Sequence, residues 1–321
     1  MSIVTLNAEY LESRGFDVRH AEELSGGVSN VVLMVETGAE CLVFKQSLAK
    51  LRVAEEWLFD QKRIINERRC MEMLGNLLPG SAPRVRFADD ENFIFGMTCA
   101  PPGGQLWKTA LLDGSTDTTA AARVGGMLAE MHARAATDPR TQAWFGDQEV
   151  FIQGRIDPYH RFTAQAHPDL APLIEVEVAR MLAHRTTLVH GDYSPKNLFV
   201  YPDSVLMLDF EVAHFGDPAF DVAFCLTHLL LKVIHFPSRR AEYLRVAQAY
   251  WQGYSRVPGL DPDVEQNTIR ELACLLLARI DGKSKEDYIT MEHEKQQARD
   301  LARWLFVSRP ASLETVWEEL A

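Results

Sequence analysis

The segment Ala100-Pro101-Pro102-Gly103-Gly104 is the strongest constraint on how this chain folds. Two prolines in a row withdraw two backbone donors, and two glycines remove any local stiffness. No helix or central strand runs through such a stretch. The residues on its two sides have different periodicities. The 321 residues are therefore expected to form two parts, 1–99 and 100–321, a division that the length also suits.

Before the break, turn signals alternate with short apolar runs. Residues 1–15 read as a short amphipathic helix ending at Gly15. Residues 16–24, 31–37 and 41–46 read as strands, separated by Gly26-Gly27 and Gly38. A helix is expected over 57–78, stopped by Pro79-Gly80, and then strands over 84–88 and 93–99. After the break the apolar period turns helical. Helices are expected over 118–135, 172–184, 220–232, 240–254, 268–280, 292–306 and 312–320, with short strands at 187–190, 198–201 and 205–210. The fold class is α+β, with a small antiparallel sheet and one main helix ahead of a larger, mostly helical part.

Charge and cysteine usage narrow the functional classes. A formal net charge of −12 disfavours nucleic-acid binding, which needs clustered Lys and Arg. Residues 1–20 carry no basic stretch followed by an apolar run, so no secretory signal is expected. The longest apolar run, 222–233, is broken by Thr227, His228 and Lys232, so no membrane span is expected. Cys41, Cys70, Cys99, Cys225 and Cys274 are odd in number and sit among apolar residues. They read as reduced core residues of a cytoplasmic protein, with no zinc-type spacing.

The chemistry is concentrated in 189–223. Val189-His190-Gly191-Asp192 is followed by Asn197, and an apolar hairpin then leads to Leu208-Asp209-Phe210-Glu211. Phosphoryl transfer needs one carboxylate to orient the attacking hydroxyl and accept its proton. It also needs hard oxygen ligands to hold Mg²⁺ against nucleotide phosphates. Asp192 suits the first task, and Asn197 with Asp209 the second.

These loops resemble those of the aminoglycoside phosphotransferase and choline kinase family, within the protein-kinase-like superfamily. Protein kinases carry H-R-D-x-x-x-x-N and D-F-G at the matching places. Here Gly191 follows the histidine and Glu211 replaces the last glycine, as is habitual in the small-molecule branch. The resemblance implies a bilobal protein-kinase-like fold, with ATP and Mg²⁺ as cofactors and a hydroxyl-bearing small molecule as acceptor, aminoglycoside-, choline- or sugar-like. It also implies that Asp221, in Gly216-Asp217-Pro218-Ala219-Phe220-Asp221, is buried and braces the catalytic loop. Asp217 reads as an N-cap with Pro218 in the first turn.

On the nucleotide side, Lys45 in Leu42-Val43-Phe44-Lys45-Gln46 resembles the kinase lysine that contacts the phosphates. Its implied partner is Glu67, set in an R-x-x-x-E arrangement with Arg63; Glu55, Glu56 and Glu72 are alternatives. Ser25, Gly27 and Ser29 lie in a glycine-containing loop that resembles a shortened phosphate loop. Met97 and Cys99 fall where the resemblance places the adenine-binding hinge, with Met97 guarding the pocket.

The acceptor is less legible. Arg279 and Lys283 are candidate contacts, as are Trp107, Lys108, Asp281 and Tyr288; Arg155, Tyr159, His160 and His214 are unranked. Asp217, Asp221 and Glu211 would permit an acidic acceptor face, whereas Arg279 with Lys283 points to a neutral or anionic acceptor. The other readings are a protein kinase, and a non-catalytic nucleotide-binding protein on the same fold. The first is disfavoured by the short span from Asp209 to Gly216, and the second by the presence of Lys45, Asp192, Asn197 and Asp209. Oligomeric state has no signal.

Overall fold

The computed structural model describes residues 4–24, 29–50 and 59–321. It divides into two compact units, one of residues 1–104 with 206–212 and one of 105–205 with 213–321. The segment Leu206–Val212 thus groups with the first unit, although it lies far beyond the proline-glycine break.

In the first unit, α1 (Ala8–Ser13) precedes the strands β1 (Val18–Glu23), β2 (Asn30–Thr37) and β3 (Cys41–Ser47). Then come α2 (Arg63–Leu77), β4 (Val85–Asp89) and β5 (Ile94–Thr98). The strands form one antiparallel sheet in the order β1-β2-β3-β5-β4. Asn7 caps α1 by accepting from the Tyr10 N–H at 2.8 Å, and Gly15 (φ 90°) ends it. Strand alternation sends Leu42 and Phe44 into a core with Leu6, Tyr10, Leu11, Leu33, Val35 and Ile94. Lys45 points to the opposite face, where it meets Glu67 of α2. Of the helix expected over 57–78, residues 57 and 58 lie outside the described residues; among the described ones it starts at Arg63, after a turn at Asp60 and Gln61 closed by the Arg63 and Ile64 N–H groups.

Two of the five cysteines depart from expectation. Cys41 and Cys99 are half-buried and joined by a disulfide. The reason is register: Leu42 lies opposite Thr98, so the cysteines face each other at the ends of β3 and β5, with Cα atoms 5.5 Å apart. Strand pairing brings together residues 58 apart, which spacing alone does not reveal. Cys70, Cys225 and Cys274 are buried and form no disulfide among the described residues.

The second unit begins with β6 (Gln105–Leu106), α3 (Trp107–Leu112), α4 (Thr118–Ala136), α5 (Pro139–Phe145) and α6 (Glu149–Phe151). A π-wound helix, Ile152–Arg161, leads into α7 (Phe162–Ala166) and α8 (Ala171–Ala183). After β7 (Thr187–Val189) and β8 (Leu198–Val200) the chain passes through β9 (Val205–Met207), of which residues 206 and 207 count with the first unit; β10 (His214–Gly216) pairs antiparallel with β7, and β6 pairs with β8. The chain ends in α9 (Ala219–His235), α10 (Arg240–Ser255), α11 (Val264–Asp281), α12 (Glu292–Ser308) and α13 (Leu313–Leu320).

Helix α9 is buried almost end to end and is packed by α10, α11 and α12. Helices α4 and α10 approach so closely that a Cβ at Gly125 would collide with the Tyr250 carbonyl, and one at Gly253 with the Ala122 carbonyl. No single described helix is long and apolar enough to cross a membrane.

Candidate active site

Within the first unit, Lys45 is 8% exposed and its Nζ lies 2.6 Å from Oε1 of Glu67 and 3.3 Å from Oδ1 of Asp209. Burial alone would lower the Lys45 pKa, but the facing carboxylates of Glu67 and Asp209 outweigh it, and the pKa is raised. Burial pushes the Glu67 carboxyl upward, with the Lys45 ammonium opposing. Of the competing glutamates, Glu72 pairs with Arg68 at 2.8 Å, and Glu55 and Glu56 lie outside the described residues. Asp209 has φ 69°, a left-handed conformation that an aspartate adopts at a local cost.

The arginine of the R-x-x-x-E pattern has a role that its spacing did not disclose. Arg63 is fully buried. Its guanidinium donates to Oε2 of Glu211 at 3.2 Å, to the Leu48 carbonyl at 2.9 Å, to the Phe59 and Asp60 carbonyls at 3.0 Å each, and to the Ser29 carbonyl. It ties the start of β2 and the end of β3 to the Asp209-Phe210-Glu211 segment. Glu211 also accepts from Asn30 Nδ2 at 3.2 Å. Ser29 Oγ accepts from the same amide at 3.1 Å; Ser25 and Gly27 lie outside the described residues.

Met97 is buried in β5, opposite Val43. The Cys99 N–H donates to the Cys41 carbonyl at 3.1 Å, so an adenine contact at this residue falls to its carbonyl.

Within the second unit, Gly191 has φ 76°, which accounts for glycine after His190: a side chain there would be strained. Asp221 is fully buried; its Oδ2 accepts from the His190 N–H at 2.6 Å and its Oδ1 from the Gly191 N–H at 2.8 Å. His132 Nε2 lies 3.2 Å from Oδ2 of Asp221. This carboxylate braces the loop, the position expected for it.

Asp192 is 2% exposed. Its Oδ2 is reached by Asn197 Nδ2 at 2.8 Å, Lys196 Nζ at 2.9 Å and Arg155 Nη2 at 3.1 Å, whereas its Oδ1 has no hydrogen-bond partner among the described residues. Burial would raise the Asp192 pKa, but Lys196 and Arg155 prevail and hold it well below the usual carboxylate range. Asn197 spends its amide NH₂ on the Asp192 carbonyl and carboxylate, which leaves Oδ1 as the atom suited to a cation. The donors at Asn197 and Asp209 are hard oxygens and fit Mg²⁺ by type.

Several sequence expectations about the acceptor change. Helix α9 begins at Ala219 with Pro218 at its cap; Asp217 still accepts the Ala219 N–H at 2.9 Å and pairs with Arg180 at 2.6 Å. Asp217, Asp221 and Glu211 are all buried and bonded internally, so they offer no acidic acceptor face. Arg279 is 7% exposed and bonded to Glu286, Ser284 and Tyr159, so it forms no open basic cluster with Lys283. Arg155, left unranked by sequence, contacts Asp192 directly; only folding of the π-wound helix brings it there.

Comparison with known proteins identifies the family and the fold. The model of the phosphotransferase enzyme family matches residues 20–260. A methylthioribose kinase of Bacillus cereus is 23% identical over 255 residues, covering 70% of this chain and 63% of that protein. The chain thus spans a little under two thirds of that relative's length. A methylthioribose kinase of Pectobacterium atrosepticum is 24% identical over 275 residues, covering 73% and 68%. An aminoglycoside phosphotransferase structure from Alicyclobacillus acidocaldarius superposes with a TM-score of 0.56 at 14% identity, over 99% of this chain and 98% of that one. The fold is therefore protein-kinase-like, with an antiparallel-sheet N-terminal part and a larger helical part.

Proposed function

The chain belongs to the phosphotransferase enzyme family, and from that premise we propose that it transfers the γ-phosphoryl group of ATP to a hydroxyl of a small molecule. The observation that carries the reading is Asp192: a buried, ionised carboxylate with one oxygen anchored by three donors and the other free.

In this reading Asp192 Oδ1 receives the acceptor hydroxyl, orients it and takes its proton. The low pKa makes Asp192 a weak base, which suits a loose transition state in which the hydroxyl loses its proton late. Arg155, Lys196 and Asn197 fix the carboxylate through Oδ2, and Asp221 fixes the backbone that carries it. Asn197 Oδ1 and the Asp209 carboxylate would hold Mg²⁺, which when bound neutralises charge on the phosphates. Lys45, steadied by Glu67, contacts the phosphates, with Ser25, Gly27 and Ser29 as further phosphate contacts. Met97 and the Cys99 carbonyl face adenine. Catalysis then comes from positioning and charge neutralisation, with no covalent phosphoenzyme.

The methylthioribose kinases among the relatives favour a sugar-like acceptor within the small-molecule class. Mg²⁺-dependent transfer from ATP, followed by ³¹P NMR over an acceptor panel, tests the reading. Asp192→Ala is expected to lose about 10²–10⁴-fold in kcat while still binding ATP. Undiminished turnover in that variant removes Asp192 from its role.

A further inference from the structure

Away from the catalytic loop, the second unit buries an imidazole, a carboxylate and a thiol together. His160 comes from the end of the π-wound helix, a winding that recurs at functional sites. Glu271 and Cys274 come from one face of α11, a single turn apart. All three side chains are buried, and their ligand-type atoms lie within 4.8 Å of one another. His160 Nε2 meets Glu271 Oε1 at 2.7 Å across 111 positions of sequence. The cysteines show no zinc-type spacing in the sequence because the other members of the set come from a distant element or are not cysteines at all.

The single hydrogen bond leaves the cluster unsatisfied. Glu271 Oε2 and His160 Nδ1 are buried with no hydrogen-bond partner among the described residues. A bare, buried carboxylate oxygen is costly unless something not yet counted binds it. The other charged groups whose fields reach these side chains are Glu177 and Arg180 of α8. They pair with each other at 2.5 Å, and Arg180 also holds Asp217 at 2.6 Å. Among the described residues, then, no unbalanced positive charge stands beside the cluster to repel a cation. Glu177 and Ala273, the neighbour of Cys274, also line a cavity of about 370 Å³, which brings open space to the next side of α11.

We propose that His160 Nε2, Cys274 Sγ and both carboxylate oxygens of Glu271 bind a Zn²⁺ ion that ties the π-wound helix to α11. A mixed nitrogen, sulfur and oxygen set suits Zn²⁺, whereas Mg²⁺ and Ca²⁺ want oxygens alone. Bonds of about 2.0–2.3 Å place tetrahedral ligand atoms roughly 3.5 Å apart. Nε2 and Oε1 therefore spread slightly and Sγ draws in. Binding expels the proton between Nε2 and Oε1 and the thiol proton of Cys274. Zn–N, Zn–O and Zn–S bonds take their place, and no electron is transferred. One thiolate and one carboxylate balance the dication, with the imidazole neutral, so no net charge is buried. The site stands apart from the kinase reading, and its test reads no turnover.

The full chain is freed of metal with a chelator and kept without thiol reductant, so that the Cys41–Cys99 bridge stays closed. It is then titrated with Co²⁺ and followed by near-ultraviolet and visible absorption. The expected result is a thiolate-to-cobalt charge-transfer band that saturates at one Co²⁺ per chain and is abolished by one equivalent of Zn²⁺. Oxygen ligands at Asp209 and Asn197 give no such band. Cys274→Ala is expected to abolish it, and His160→Gln to weaken Co²⁺ binding by more than about tenfold, since even the loss of an outer-shell partner costs that much. The proposal is overturned if the wild-type chain shows no thiolate band, if the band survives in Cys274→Ala, or if His160→Gln binds as tightly as wild type. Should these variants not fold, X-ray absorption at the zinc edge of the wild-type chain decides. One sulfur among nitrogen and oxygen neighbours supports the site, and a shell with no sulfur or with several overturns it.

Discussion

The Lys45 ammonium is held at 2.6 Å by Glu67 and at 3.3 Å by Asp209. One cation therefore balances two carboxylates, both within the first unit. Glu67 is 1% exposed, and among the described residues its second oxygen has no hydrogen-bond partner. Burial pushes the Glu67 carboxyl up to about 7, and the Lys45 ammonium opposes that push.

Removing that cation should make stability fall as pH rises. In Lys45→Met the Glu67 carboxyl remains buried without its counter-charge, so its folded-state pKa stays above the unfolded value. The folded state then binds more protons than the unfolded one, and stability drops as pH climbs above about 4.3. Urea unfolding near about pH 5 and pH 8 checks this, with the variant losing more than wild type at the higher pH.

Asp221→Ala should destabilise the protein by about 2–5 kcal/mol, since two buried N–H groups, those of His190 and Gly191, lose their acceptors. Asp221→Asn should cost less, because the amide oxygen still serves one of them. Denaturant midpoints with unchanged slope would show this ordering.

Gly253→Ala should be strongly destabilising for a different reason. The added methyl meets the Ala122 carbonyl, which is backbone and cannot turn aside, so α4 and α10 must separate. A loss of about 1–3 kcal/mol is expected. Gly75→Ala, on α2 with open space at its Cβ, should be neutral or stabilising.

The Cys41–Cys99 disulfide closes a span of 58 residues. Its loss should lower stability by up to about 4 kcal/mol. Intact mass before and after reduction, with unfolding curves in each state, tests both its presence and its contribution.

The candidate catalytic loop stood out in the sequence because phosphoryl transfer restricts residue type and order together: His190-Gly191-Asp192, Asn197 and Asp209 stand close in sequence. The sheet was legible from glycine-punctuated strands. Less was readable where contacts cross long sequence distances. Arg155 meets Asp192 across 37 positions through a π-wound helix whose periodicity imitates neither an α-helix nor a loop. Arg63 and Glu211 meet across 148 positions, and Arg63 is fully buried with bonds to Glu211 and four backbone carbonyls. Cys41 and Cys99 needed strand register. Asp217, Glu211 and Arg279 misled because charge in sequence does not reveal an internal partner.

Mn²⁺ binding followed by electron paramagnetic resonance, with ATP present, tests the central claim most directly. The account predicts one nucleotide-dependent Mn²⁺ site in the wild-type chain that is lost in Asp209→Asn and weakened in Asn197→Ala. Mn²⁺·ATP binding of equal strength in all three proteins would contradict it.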